Sequence, residues 1–204
     1  MKIIFTALAV LTGILVALAA YLFTAAPGSF SPSLPASSGT QTRFTQPFTL
    51  VNQNGETVTE QTYLGKPTLW FFGFTHCPDV CPTTLGALTG WLNQLGDDAK
   101  KFNVVFVSVD PGRDTPASLK AYIAMFHPQV TAATGTEEQL QGMTKQFMVY
   151  YAKVPVKPGQ NPADYLVSHS SGILMADATG TFKGMLDAHD PDAEALAKLK
   201  SLIK

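Results

Sequence analysis

The feature that most constrains this chain is the run Thr68-Leu-Trp-Phe-Phe-Gly-Phe74, followed at once by Cys77 and Cys81, the only two cysteines of the protein. Seven aromatic, aliphatic and small residues with no polar face at helical spacing describe a strand covered on both sides, as in the middle of a parallel sheet. Pro82 has no N–H and is tolerated in a helix only within its first turn, so regular helix is predicted from about Pro82 to Leu95, with Gly96 just beyond its end. Cys81 then falls near the N-cap and Cys77 in the preceding turn. Backbone N–H groups and the positive end of a helix dipole favour thiolate at such a position, and a separation of four lets two sulfurs share a metal or close a disulfide. A structural disulfide fits an even cysteine count, but a loop this small stabilises little.

Around this unit the pattern alternates strand and helix. Asn103 to Val109 is a second continuous apolar strand, and strand, helix, strand is the right-handed crossover of a parallel sheet. Asp114-Thr115-Pro116 reads as a helix N-cap followed by proline at the first helical position, opening a helix to about Phe126. Val130 to Thr134 is a short strand and Glu137 to Met148 a helix, with strands following at Val149 to Val154 and Tyr165 to Val167. Ile173 to Ala176 and Thr181 to Met185 form a hairpin, and Asp190 to Ile203, acidic early and basic late, is the last helix. Upstream, Asn54-Gly55 between two apolar stretches signals a further hairpin. The expected architecture is a thioredoxin-like α/β domain over residues 47–204, with an added N-terminal β-hairpin and an insertion before His169.

The N-terminal part is different. Ile3 to Phe23 carries no charge and covers about 30 Å as a helix, the thickness of the bilayer hydrocarbon. Residues 1–24 are therefore expected to be an uncleaved transmembrane anchor with its N-terminus in the cytoplasm, an orientation resting on Lys2 and the amino terminus. The segment has none of the Arg-rich amphipathic character of a mitochondrial presequence, so a bacterial inner membrane and a periplasmic soluble domain follow. Residues 25–46, rich in Pro, Ser, Gly and Thr, are expected to be a flexible spacer. With 14 Lys and Arg scattered along the chain against 15 Asp and Glu, there is no basic footprint for nucleic acid.

The run Phe74-Thr-His-Cys-Pro-Asp-Val-Cys-Pro-Thr-Thr-Leu85 resembles the signature of the Sco/SenC copper chaperones of cytochrome oxidase assembly. Ser108-Val-Asp-Pro-Gly-Arg-Asp-Thr-Pro116 and Tyr165-Leu-Val-Ser-His-Ser170 resemble the second and third signatures of that family. The resemblance implies a copper site, Cu(I) or Cu(II), made by Cys77, Cys81 and His169, with Asp79, Asp110 and Ser168 in its second shell or at its rim. It further implies delivery of copper to, or preparation of, the dinuclear copper centre of a haem–copper oxidase subunit, together with an upstream copper donor and a thiol reductant. Ser168 stands where the family usually has Asp, which predicts a less well oriented imidazole. His76, His127 and His189 are read as structural.

Other chemistries compete for the same residues. Two Cys and one His with an open position also suit zinc. A thioredoxin-type oxidoreductase would have two residues between its cysteines, whereas three intervene here; a membrane-tethered thiol–disulfide reductase acting on the oxidase copper-site cysteines is still the main alternative. A peroxiredoxin is disfavoured, since Phe74 and Pro78 occupy the positions where its Pro and Thr would stand.

Overall fold

A computed structural model describes residues 42–156, 159 and 161–204. The first strands, β1 (Thr49–Asn52) and β2 (Thr57–Thr59), form the hairpin across Asn54-Gly55, with Gly55 at a φ of 82° that suits glycine. The stretch β3 (Thr68–Gly73), α1 (Val80–Leu95) and β4 (Asn103–Ser108) makes the crossover, and β3 and β4 run parallel from Thr68 opposite Asn103 to Gly73 opposite Ser108. Next come α2 (Pro116–Ile123), β5 (Val130–Thr134), α3 (Glu137–Phe147), β6 (Tyr151–Val154), β7 (Leu166–His169), β8 (Ile173–Ala176), β9 (Phe182–Leu186) and α4 (Asp192–Leu202).

Seven strands form one sheet in the order β2-β1-β5-β4-β3-β8-β9, with β3, β4 and β5 parallel and β8 antiparallel to β3. All six residues of β3 are buried, as its uninterrupted apolarity requires of a strand covered on both faces. β6 and β7 pair only with each other and make a separate two-stranded hairpin, which is the insertion expected before His169. That hairpin ends at His169, so the histidine reaches the domain on an element outside the main sheet.

The structure shifts several boundaries. α1 starts at Val80, with Asp79 at its N-cap, so Cys81 lies inside the first turn. Proline is tolerated throughout a first turn because none of those N–H groups has an intrahelical acceptor, so Pro82 limits the start to one turn without fixing it. α2 begins at Pro116, as the Asp114-Thr115-Pro116 pattern predicts, and of the two residues before it Thr115 is the cap. The Thr115 hydroxyl accepts from Ser118 N–H, and Thr115 N–H donates in return to the Ser118 hydroxyl. Regular helix in α2 ends at Ile123 rather than Phe126, and α4 spans Asp192–Leu202 after Pro191.

Thr42 to Phe44, read as the end of a spacer, packs on the domain instead. Phe44 N–H donates to Gly180 O, Phe182 N–H donates to Thr42 O, and the Phe44 ring stacks on Phe147 with centroids 4.0 Å apart. A single large aromatic outweighs the spacer-like composition around it. The proposed span Ile3 to Phe23 lies outside the described residues; among the described residues no helix is long and apolar enough to cross a membrane.

Candidate metal centre

β3 delivers its last residues beneath the first turn of α1. Gly73 ends the strand where a side chain has no room: a Cβ there would sit 2.7 Å from Cys81 Sγ and 2.8 Å from the Phe106 ring. The chain turns at Phe74, whose carbonyl accepts from Cys77 N–H at 3.3 Å, and Cys81 N–H points at Cys77 Sγ at 3.4 Å. Cys81 is wholly buried and Cys77 half-buried. Burial pushes the Cys81 thiol well above its ordinary range, a backbone hydrogen bond at Phe74 opposes this, and the neighbouring Cys77 sulfur adds to it. The thiolate expected from the helix terminus is therefore not favoured at Cys81, because loss of hydration outweighs the first-turn dipole.

His169 completes the group. Its Nε2 lies 3.3 Å from Cys81 Sγ, and the ligand atoms of Cys77, Cys81 and His169 all fall within 4.8 Å of one another. The imidazole stands edge-on to Phe74, with centroids 5.8 Å apart. On its far side Nδ1 lies 2.9 Å from the Ser170 carbonyl. A carbonyl can only accept, so Nδ1 carries the hydrogen and the Nε2 lone pair faces the sulfurs. The orientation that a carboxylate at position 168 was expected to supply comes from the backbone next door. Ser168 is exposed at the rim of the groove that Cys77 and His169 line, and it makes no contact with the imidazole among the hydrogen bonds found there.

Two carboxylates behind this group were placed differently by the sequence. Asp110 is buried and does not reach the sulfurs. It accepts from Arg113 Nε and from the Tyr165 hydroxyl, both at 2.5 Å, while Arg113 Nη1 donates to the carbonyls of Ala163 and Tyr165. The guanidinium carbon lies 3.7 Å from the Tyr165 ring centroid. This cluster fastens the segment leading into β7, and so His169, to the β4–α2 loop. Asp114, read only as a helix cap, accepts from Thr75 N–H at 2.9 Å and from the Thr75 and Ser108 hydroxyls at 2.5 Å, which pins the loop carrying Cys77. Asp79 is exposed at the α1 N-terminus, close to the Thr83 hydroxyl.

The other histidines stay away from the sulfurs. His76 is exposed beside Thr75 and Asp114; His127 accepts from Gln129 N–H, and burial lowers its pKa; His189 pairs with Asp187 at 2.8 Å. Among the described residues, Cys77, Cys81 and His169 are the one such cluster of potential ligands. Cys77 and His169 open on a groove of about 310 Å³, walled by Phe74, Pro78, Val80 and Leu166.

A family model described as SCO1/SenC matches residues 36–204. This chain belongs to the SCO1/SenC family. The mitochondrial protein SCO2 of Saccharomyces cerevisiae is 40% identical over 160 residues, covering 78% of this chain and 52% of that protein. The chain thus spans about half the length of that curated relative. Among solved structures, Bradyrhizobium japonicum ScoI with copper bound is 41% identical, with a TM-score of 0.70 over 77% of this chain and 98% of that one. Yeast Sco1 with copper bound is 36% identical, with a TM-score of 0.69 over 78% and 87%. As a SCO1/SenC member the chain has the thioredoxin-like α/β fold of these neighbours, with β1 and β2 as its N-terminal hairpin.

Proposed function

We propose that this chain is a copper chaperone that holds copper through Cys77, Cys81 and His169 and delivers it to, or prepares, the dinuclear copper centre of a cytochrome c oxidase. The observation that carries this is the donor set: two thiols and an imidazole nitrogen whose lone pair is already aimed at them. Metal–sulfur and metal–nitrogen bonds of about 2.3 and 2.0 Å at about 120° would separate S and N by about 3.7 Å, against the 3.3 Å between Cys81 Sγ and His169 Nε2, so closure on a metal needs sub-ångström movement of that pair. Soft sulfur with one imidazole suits Cu(I) and accommodates Cu(II); the same set leaves zinc as the competitor to be tested. Copper is the cargo here. The protein's part is to hold Cys81 neutral and dry until metal arrives, whereupon thiol protons are released to solvent.

In this reading Ile3 to Phe23 anchors the domain to a bacterial inner membrane with the site in the periplasm, and an upstream copper donor and a thiol reductant act before transfer. The second reading, a thiol–disulfide reductase for the oxidase cysteines, is favoured by one feature: Cys77 and Cys81 lie within one turn of each other with only Cys77 open to a partner. Mixing the reduced copper-loaded protein with the reduced apo copper subunit, and the reduced metal-free protein with the oxidised subunit, separates the two. Copper movement in the first mixture without thiol loss supports the chaperone. Thiol exchange in the second with no copper movement in the first overturns it.

A further inference from the structure

We infer that Met148 and Met185 form a second, weaker soft-metal site that receives Cu(I) and passes it to Cys77, Cys81 and His169. The inference rests on the copper reading of that centre, which is the destination. The two methionines are far apart in sequence and line one cavity of about 500 Å³. Ser170 and Ser171 also line it, and Ser171 borders the groove that holds Cys77 and His169. The cavity therefore abuts the backbone that orients His169.

Packing does not explain these two side chains. Met143 and Met175 are buried in the core, but Met148 is 68% and Met185 54% exposed. Met148 sits at the C-cap of α3 with φ at 53°, the one non-glycine residue of positive φ among the described residues, a position where glycine or asparagine is the usual choice. The Met185 sulfur lies 3.4 Å from where a Cβ on Gly172 would be, so glycine leaves that sulfur uncovered on the cavity side.

Thioethers are neutral and soft. They bind Cu(I) without releasing a proton, do not close disulfides, and have little affinity for hard cations. Two thioethers are a poorer donor set than two thiolates and an imidazole, so metal moves from the first site to the second by ligand exchange. Copper stays Cu(I) throughout, each thioether regains its lone pair, and the thiol protons leave to water.

The test uses the full chain in detergent with 13C-labelled methionine methyls, carrying Cys77→Ser and Cys81→Ser, titrated with Ag(I) as a redox-inert stand-in for Cu(I). Met125, 68% exposed just beyond α2, reports ordinary thioether binding. The Met148 and Met185 methyls should shift together and at lower Ag(I) than Met125. Equal shifts for all three, or shifts produced only by adding a protein partner, overturn the site. In the chain with its cysteines intact, Met148→Leu with Met185→Leu should slow copper uptake from a Cu(I) chelate severalfold, while Met125→Leu loads at the parent rate; an unslowed double variant also overturns it. Failure of the copper reading itself is distinct: the unsubstituted chain would then retain no Cu(I) while the methyl shifts persisted.

Discussion

Replacing Gly73 by Ala tests how tightly the fold places the buried sulfur. The new Cβ would lie 2.7 Å from Cys81 Sγ and 2.8 Å from Cε2 of Phe106. Phe106 is wholly buried beside Phe71 and Tyr122, so the sulfur and the ring edge must each retreat by roughly 0.6–0.7 Å to reach ordinary contact. A binding constellation tolerates displacements of about 0.5 Å, so the strain falls on the ligand set as well as on the core. Gly73→Ala should lose about 1–3 kcal/mol of stability by overpacking and about ten- to a hundredfold in Cu(I) affinity, the range seen when support for a metal ligand is disturbed. Urea unfolding and competition with a Cu(I) chelator measure the two effects. Gly86→Ala is the control: nothing lies within 4 Å of its Cβ on α1, so it should gain about 0.5–1 kcal/mol from helix propensity and bind copper as the parent does. Parent-like stability and affinity in Gly73→Ala would refute the reasoning that this glycine exists to admit the sulfur.

Three further outcomes follow from the same geometry. Ser168→Asp should leave Cu(I) affinity unchanged in chelator competition, since His169 Nδ1 is already engaged by the Ser170 carbonyl; a tenfold gain would show that the carbonyl does not orient the ring. Arg113→Ala leaves the buried Asp110 carboxylate without its counter-charge and removes the stacking on Tyr165, so it should cost about 3 kcal/mol, with amide exchange rising in β6 and β7 more than in β3. Burial opposes ionisation of Asp177, but hydrogen bonds from Thr179 and Thr181 and the Lys183 ammonium outweigh it and hold the carboxyl at about 2, below its ordinary 3.8. The stability it supplies is complete above about pH 4 and fades as pH falls towards 2, so Asp177→Asn should cost about 1–2 kcal/mol at neutral pH and little near pH 2 in urea titrations.

The chemistry of the site was legible because it resides in residue types. Cysteine pairs and their Pro-punctuated turn are rare enough to mark a site, and His169 stood out by its setting and by the family resemblance. The supports were not legible, for physical reasons that differ from one to the next. Asp114 matched a capping pattern that Thr115, one residue later, satisfies, and only the folded loop shows the carboxylate turned inward to Thr75 and Ser108. The hold on His169 Nδ1 is a backbone carbonyl, which every residue possesses, so no side chain could announce it. Tyr165 and Arg113 are 52 positions apart in sequence and meet because β6 and β7 fold back as a unit, a pairing invisible to local periodicity. Phe44 was averaged away by the Pro- and Ser-rich residues before it. The strands themselves were clear wherever burial on both faces left an unbroken apolar run, as in β3 and β4.

The two sulfurs do not share one exposure. Cys81 is buried on the inner face of α1's first turn while Cys77 opens to the groove beside His169. An incoming ligand can reach a metal held between them only from the Cys77 and His169 side. If copper is the cargo, as proposed, release would have an order: the imidazole or the outer sulfur would be exchanged first and Cys81 last. On that reading the same asymmetry would make the inner sulfur the retaining point during handover, with one bond to this protein kept until a partner's ligand is in place.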